Sequence, residues 1–271
     1  MNRKLMVLVG VLVMVLNQVS AQTPKKKKER KGEFYFSWGY NKEWYTQSDL
    51  YVDQPSLGKG NNYVMKGIRA NDHPGWDEGI FDRAISIPQY NYRIGYFFNK
   101  KKGLAWEINF DHTKYIMADQ EVHVVGTYQG VHVDTFMAFN HPGSYYYLNN
   151  GANFLLFNIV KRWNLFESKS QNLKLDFLGK AGIGPVIPHV ENSLFGQAND
   201  PHFQLGGWNI GVEGAIRTTF YKYVYLEYCQ KMDYARYSGL SMNNGTAHQA
   251  FGTYEMILNL GFTIPAGKVV E

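Results

Sequence analysis

Between Ser86 and Tyr115 the chain alternates between two kinds of residue with a period of two. Tyr90, Tyr92, Ile94, Tyr96 and Phe98 fall on one side, and Asn91, Arg93, Gly95 and Phe97 on the other. After the polar run Asn99-Lys100-Lys101-Lys102-Gly103 the pattern resumes, with Leu104, Trp106, Ile108 and Phe110 set against Ala105, Glu107, Asn109 and Asp111. This spacing predicts two β-strands joined by a short turn. One face is strongly aromatic and the other carries full charges. In a soluble sandwich the charged face would meet water. In a transmembrane barrel the aromatic face meets lipid and the charged face fills the interior.

The remaining segments favour the barrel. The pattern predicts further long strands at Gly32–Tyr45, Ala152–Trp163, Leu173–Val186, Gln204–Phe220, Val224–Tyr237 and Phe251–Ile264, which with Ile87–Asn99 and Leu104–Met117 makes eight. Their connections alternate in length. The long ones are about 40, 33, 16 and 12 residues and the short ones about three to nine, the asymmetry of outer loops and periplasmic turns. Two loops contain extended pieces of their own, Asp49–Asp53 with Tyr63–Arg69, and Glu121–Gly126 with Val131–Phe136. The expected fold is all-β: an eight-stranded antiparallel transmembrane β-barrel over residues 32–265, with short periplasmic turns, long extracellular loops and a tail at 266–271.

Residues 1–21 read as a cleaved secretory signal peptide. Arg3 and Lys4 precede the apolar run Leu5–Leu16, which is too short to span a membrane, and Val19-Ser20-Ala21 is a small-residue cleavage site. Residues 22–31 follow as a basic periplasmic tail. They hold Lys25–Lys28, Arg30 and Lys31 against Glu29, so the net charge of +5 resides there and in the signal, and the body is slightly acidic. That run lacks interleaved aromatics, so no nucleic-acid partner is expected. The chain has one cysteine, Cys229, so burial and not a disulfide framework must hold the fold. The 20 tyrosines suit interfacial girdles. The expected address is a bacterial outer membrane, with membrane lipid and lipopolysaccharide as partners.

The whole mature chain resembles small eight-stranded outer-membrane barrel proteins of Gram-negative bacteria. The segments PQYNYRIGYFF and INFDHTKY are similar to a Bacteroidetes-type group of such proteins, a resemblance that implies the fold and brings no activity with it. Many such barrels finish on an aromatic residue, whereas here Phe262 is followed by Thr263–Glu271.

Parity sends six cations inward, Arg93, Arg162, Lys174, Lys180, Arg217 and Lys231, against six carboxylates, Glu107, Asp111, Asp176, Glu213, Glu227 and Glu255. The interior of so narrow a barrel is filled by side chains. A balanced set therefore reads as a structural ion-pair network and not as catalytic acids. His112 and Lys114 fall on the outward face near the outer end of their strand, where they could meet the phosphates of lipopolysaccharide. Some eight-stranded barrels are lipid A deacylases or acyltransferases, and the deacylases use His-x-Ser. The triplet here is His112-Thr113-Lys114, without a nucleophile on the histidine face. Asp72, His73, Asp77, Glu78 and Asp82 are dense enough to suggest Ca²⁺ but match no calcium-loop spacing. The other histidines are scattered, so no cofactor and no metal site is expected.

The expected role is non-enzymatic: structural, or binding through the outer loops. A lipid A-modifying enzyme and a narrow passage for small hydrophobic molecules are the alternatives. Parity also predicts registers. Phe98 opposite Leu104 sets Arg93 against Asn109, with Glu107 and Asp111 on its diagonals. A three-residue turn at Tyr221-Lys222-Tyr223 sets Arg217 against Glu227 and Glu213 against Lys231, as two pairs.

Overall fold

A computed structural model describes residues 29–73 and 89–270. The signal, most of the basic tail, and Asp77, Glu78, Asp82 and Ser86–Pro88 lie outside the described residues. In chain order the strands are β1 (Glu29–Tyr45), β2 (Ser48–Gln54), β3 (Asn61–Ile68), β4 (Ala70–Asn71), β5 (Tyr90–Asn99), β6 (Leu104–Asp111), β7 (Tyr115–Met117), β8 (Gln120–Tyr128) and β9 (Val131–Phe139). They continue as β10 (Tyr145–Leu148), β11 (Phe154–Glu167), β12 (Leu173–Pro185), β13 (His189–Leu194), β14 (Gln197–Ala198), β15 (His202–Phe203), β16 (Gly207–Phe220), β17 (Val224–Met242) and β18 (Gly245–Val270). Among the described residues no helix is long and apolar enough to cross a membrane.

Eight strands close on themselves in the order β1, β5, β6, β11, β12, β16, β17, β18, and β18 pairs back to β1. All pairings are antiparallel, so the barrel has no free edge. One ladder of directly opposed residues runs Glu43, Glu255, Lys231, Glu213, Lys180, Val160, Ala105, Phe97 and back to β1 at Glu33. It returns ten residues from its start, which tilts the strands about 40° from the axis.

The faces are inverted relative to a soluble domain. Phe34, Ile94, Phe157, Val212, Leu258 and Leu260 point outward and are half-exposed, whereas Arg93, Lys231, Glu107 and Asp111 are buried inside. Aromatic pairs ring both ends of the wall: Phe34 with Tyr96 and Trp163 with Phe177 near the periplasmic turns, Trp44 with Tyr254 and Trp208 with Tyr234 near the outer rim. This is a transmembrane β-barrel.

The turn between β16 and β17 is Tyr221–Tyr223, with Phe220 paired to Val224, Arg217 to Glu227 and Glu213 to Lys231. Arg93 is opposite Asn109 as the pattern predicts, but the register below it differs: a bulge at Phe98 sets Asn99 opposite Leu104. The strand read as Leu104–Met117 divides at Asp111, because Tyr115–Met117 leaves the wall to join a second sheet as β7. Pairing of β1 with β18 also extends to Glu29 and Val270, past both expected barrel boundaries.

The outer segments are more than loops with local hairpins. Above Gln249 the last strand exchanges partners, and its residues Thr246–Gln249 pair with β2 instead of β1. From β2 the sheet continues through β3 and β8 to β9, so the two expected hairpins are fused to the barrel wall. A second sheet, β14, β13, β10, β7 and β4 with β15 beside β13, folds against it. Between them lies one apolar core that includes Leu50, Met65, Val124, Phe139, Tyr146 and Val190 and reaches down to Phe154, Tyr237 and Phe251. The barrel therefore carries a folded cap.

Candidate functional site: the barrel interior and outer rim

Strand alternation aims every second residue into the barrel, and the interior fills in layers. Nearest the periplasmic turns, Arg162 meets Glu33 at 2.7 Å and lies 3.8 Å over the Phe97 ring. Lys100 reaches the same carboxylate at 3.5 Å, and Lys174 meets Asp176 at 3.0 Å. Above them the Arg217 guanidinium is sandwiched between the rings of Tyr35 and Tyr225, at 4.5 and 4.0 Å, and holds Glu227 at 2.6 Å. The two tyrosines lie flat because glycine faces them. A Cβ at Gly95 would sit 2.2 Å from Tyr35, and one at Gly261 would sit 2.2 Å from Tyr225.

In the middle layer Lys180 is held by three carboxylates, Glu107 at 3.2 Å, Glu213 at 2.8 Å and Glu227 at 2.9 Å. Arg93 spans the lumen to Glu213 at 2.8 Å. It is 3.8 Å from both Glu107 and Asp111, the diagonal acids of the neighbouring strand, so its closest acid lies across the barrel. The Tyr35 hydroxyl donates to Glu107 at 2.8 Å. In the top layer Lys231 meets Asp111 at 2.5 Å, Asp233 at 2.8 Å and Glu255 at 3.1 Å. Glu43 accepts from the amides of Asn41 and Gln89, and its backbone N–H donates to Asp72.

Each of the twelve charged residues read as inward lies in this interior. The expected Glu213–Lys231 ion pair does not form. The two residues are directly opposed, but Glu213 turns down to Arg93 and Lys180 while Lys231 turns up to three other acids. Glu33, Glu43 and Asp233 were not in the expected set. The period of two could have found them: Glu33 and Glu43 share the side of Tyr35 and Asn41 in β1, and Asp233 shares the side of Lys231 in β17.

Glu213, Glu227 and Cys229 form the one group among the described residues with ligand atoms close enough for a metal ion. Lys180 already occupies the space between the two carboxylates, and Arg217 takes the second oxygen of Glu227. A third cation would be repelled there, so the group does not fit a metal.

At the outer rim His112 faces outward. Its ring stacks on Tyr90 at 4.7 Å, and its Nδ1 lies 2.8 Å from Asn153 Oδ1. Thr113, the residue between His112 and Lys114, is fully buried on the opposite face. The Lys114 carbonyl accepts from the Tyr45 hydroxyl at 2.9 Å, which ties this corner to β1. Just above, Tyr115 bonds Ser48 and Gln249, and burial pushes its phenol up to about 12.

Fold and interior together define a small transmembrane β-barrel with an ion-paired lumen filled by side chains. No family model and no curated protein matches the sequence. Among solved structures the chain is similar to the outer membrane protease OmpT from Escherichia coli, with 9% identity, 91% of this chain and 99% of that one covered, and a TM-score of 0.42. It is also similar to OprG from Pseudomonas aeruginosa (10% identity, 88% and 98% covered, TM-score 0.39) and to Neisserial surface protein A (11% identity, 87% and 97% covered, TM-score 0.36). Likeness at this level carries no function to this chain.

Proposed function

We propose that the protein resides in the outer membrane of a Gram-negative bacterium, delivered by its signal peptide. Its barrel serves as an anchor for the cap, whose outer surface carries a binding or structural role. The observation behind this reading is the cap's own apolar core, continuous with the barrel roof. A chain that only needed to close strand ends would not build two sheets and a core beyond the membrane. His112 and Lys114 are proposed to meet lipopolysaccharide phosphates at the rim, where Tyr90 and Asn153 hold the His112 ring in place.

The passage alternative is disfavoured by a lumen packed from Glu33 to Glu255 and a roof of Phe154, Tyr237 and Phe251. The deacylase alternative is disfavoured because Thr113, the residue next to His112 in sequence, buries its hydroxyl on the opposite face. Mass spectrometry of lipid A from cells with and without the gene tests the reading. Identical acylation and phosphorylation are expected; a changed acyl chain overturns it in favour of an enzyme. Discrete conductance steps in a planar bilayer would likewise overturn the sealed-anchor part.

A further inference from the structure

Large apolar side chains cover most of the lipid-facing wall and thin out across β12 and β16. There Gly214 stands between Val212 and Ile216 on the outward face, directly opposite Gly179. Packing within the barrel does not demand the glycine at 214. A Cβ there would meet nothing closer than the Phe177 ring at 3.7 Å, an ordinary contact. Glycine inside a strand weakens it, so an open position of this kind needs another reason. The result is a groove of about 590 Å³ bordered by Phe177, Val212, Ile216, Tyr228 and Met232, with Gln230 on its edge.

Gln230 is the second observation. It is directly opposite Gly214 on one side and Met256 on the other. Its side chain points outward between Tyr228 and Met232, with Val224 and Leu226 nearer the periplasmic turn and Tyr234 nearer the outer rim. Among the described residues its amide makes one bond, donation to the Tyr228 hydroxyl at 3.3 Å, which leaves its carbonyl oxygen and second N–H without a partner there. At that depth lipid tails offer none either, and an unpaired amide in hydrocarbon is costly.

We infer that this face binds a second copy of the chain, in a dimer whose two-fold axis runs along the membrane normal. Such an axis brings every residue to its counterpart's depth. A primary amide both donates and accepts, so Gln230 of one copy and Gln230 of the other satisfy each other. The groove over Gly214 receives the ridge of Tyr228 and Met232 from the second copy, the close approach that small residues permit in membranes. A lipid tail could fill the groove but would leave the amide unpaired.

The test uses the full mature protein in lipid vesicles, with native Cys229 replaced by Ser so that each reporter carries a single cysteine, and a short bismaleimide. Met232→Cys should give a cross-linked dimer on denaturing gels, and Ile108→Cys, on the far side of the barrel, should not. Adding Gln230→Leu to Met232→Cys should cut the dimer band at least fivefold, as should Gly214→Leu. Heat-modifiable migration checks that each variant is folded, and Gln230→Leu, at an exposed site, keeps the test open if Gly214→Leu is not. A Met232→Cys band no stronger than that of Ile108→Cys would overturn the inference. So would a band unchanged by both substitutions, which would leave the groove to lipid.

Discussion

Lys231→Met offers the sharpest test of how the interior is held together. The lysine is 1% exposed and bonds three acids, Asp111, Asp233 and Glu255. Removing it leaves those carboxylates crowded, with Arg93 at 3.8 Å from Asp111 as the nearest remaining cation. Stranding one partner of a buried pair costs about 3–5 kcal/mol. With three acids sharing one ammonium, the upper half of that range is expected. Asp111→Asn added to Lys231→Met removes one stranded charge, so the double variant should be at least about 1 kcal/mol less destabilised than the single losses predict together. Glu213→Gln added to Lys231→Met should give no such rescue. Although Glu213 is the directly opposed residue, its charge is spent on Arg93 and Lys180, so the losses should simply add. Urea unfolding in lipid vesicles, followed by tryptophan fluorescence, measures all five variants. Rescue by Glu213→Gln and none by Asp111→Asn would refute the layered pairing.

Ile108→Arg, on the outward face of β6, should lower stability by about 2–4 kcal/mol near mid-membrane in the same unfolding assay; an unchanged midpoint would mean that the faces are inverted. Gly95→Ala should cost about 1–3 kcal/mol, because the new methyl displaces the Tyr35 ring; Tyr35→Ala in the same chain should remove the clash, and equal loss with and without it would contradict this. In the cap, the hydrogen bond from His123 at 2.6 Å holds the exposed Asp134 carboxyl below its usual range. A depressed folded value means that its small contribution is present above the ordinary carboxylate range and lost as pH falls through the lowered value. His123→Ala should bring the Asp134 titration, followed by carboxyl ¹³C NMR, back up; an unmoved titration would dismiss the bond.

Facing and register were legible because the strand period is two. Once Arg93 and Glu107 were set inward, parity carried the assignment round the barrel and required the three-residue turn at Tyr221–Tyr223. Rotamer choice was not legible. A backbone ladder says which residues are neighbours, and a long Arg or Lys then reaches up or down by a layer, as Arg93 does to Glu213. The bulge at Phe98 was hidden for a related reason: an unpaired extra residue leaves the alternation on each side intact and changes only the sum. The cap was read as separate hairpins because each piece signals only its local partner. Its joining contacts, such as Tyr51 with His248 or Tyr147 with Ile116, link segments far apart in sequence.

The partner exchange of β18 has a consequence for biogenesis. Gln249 bonds Ser48 across 201 residues, and the same strand seals β1 lower down. The cap strands β2 and β3 emerge early in synthesis, yet the strand that docks them is the last to be made. Until β18 arrives, the early hairpin has an open edge and the barrel an open seam, so one late event closes both. Loop-closure cost rises only slowly with such separations, but the waiting time does not shrink. Cap ordering and membrane insertion should therefore appear as a single kinetic phase. A protease that nicks the chain between β17 and β18 before closure would therefore prevent barrel and cap from forming together.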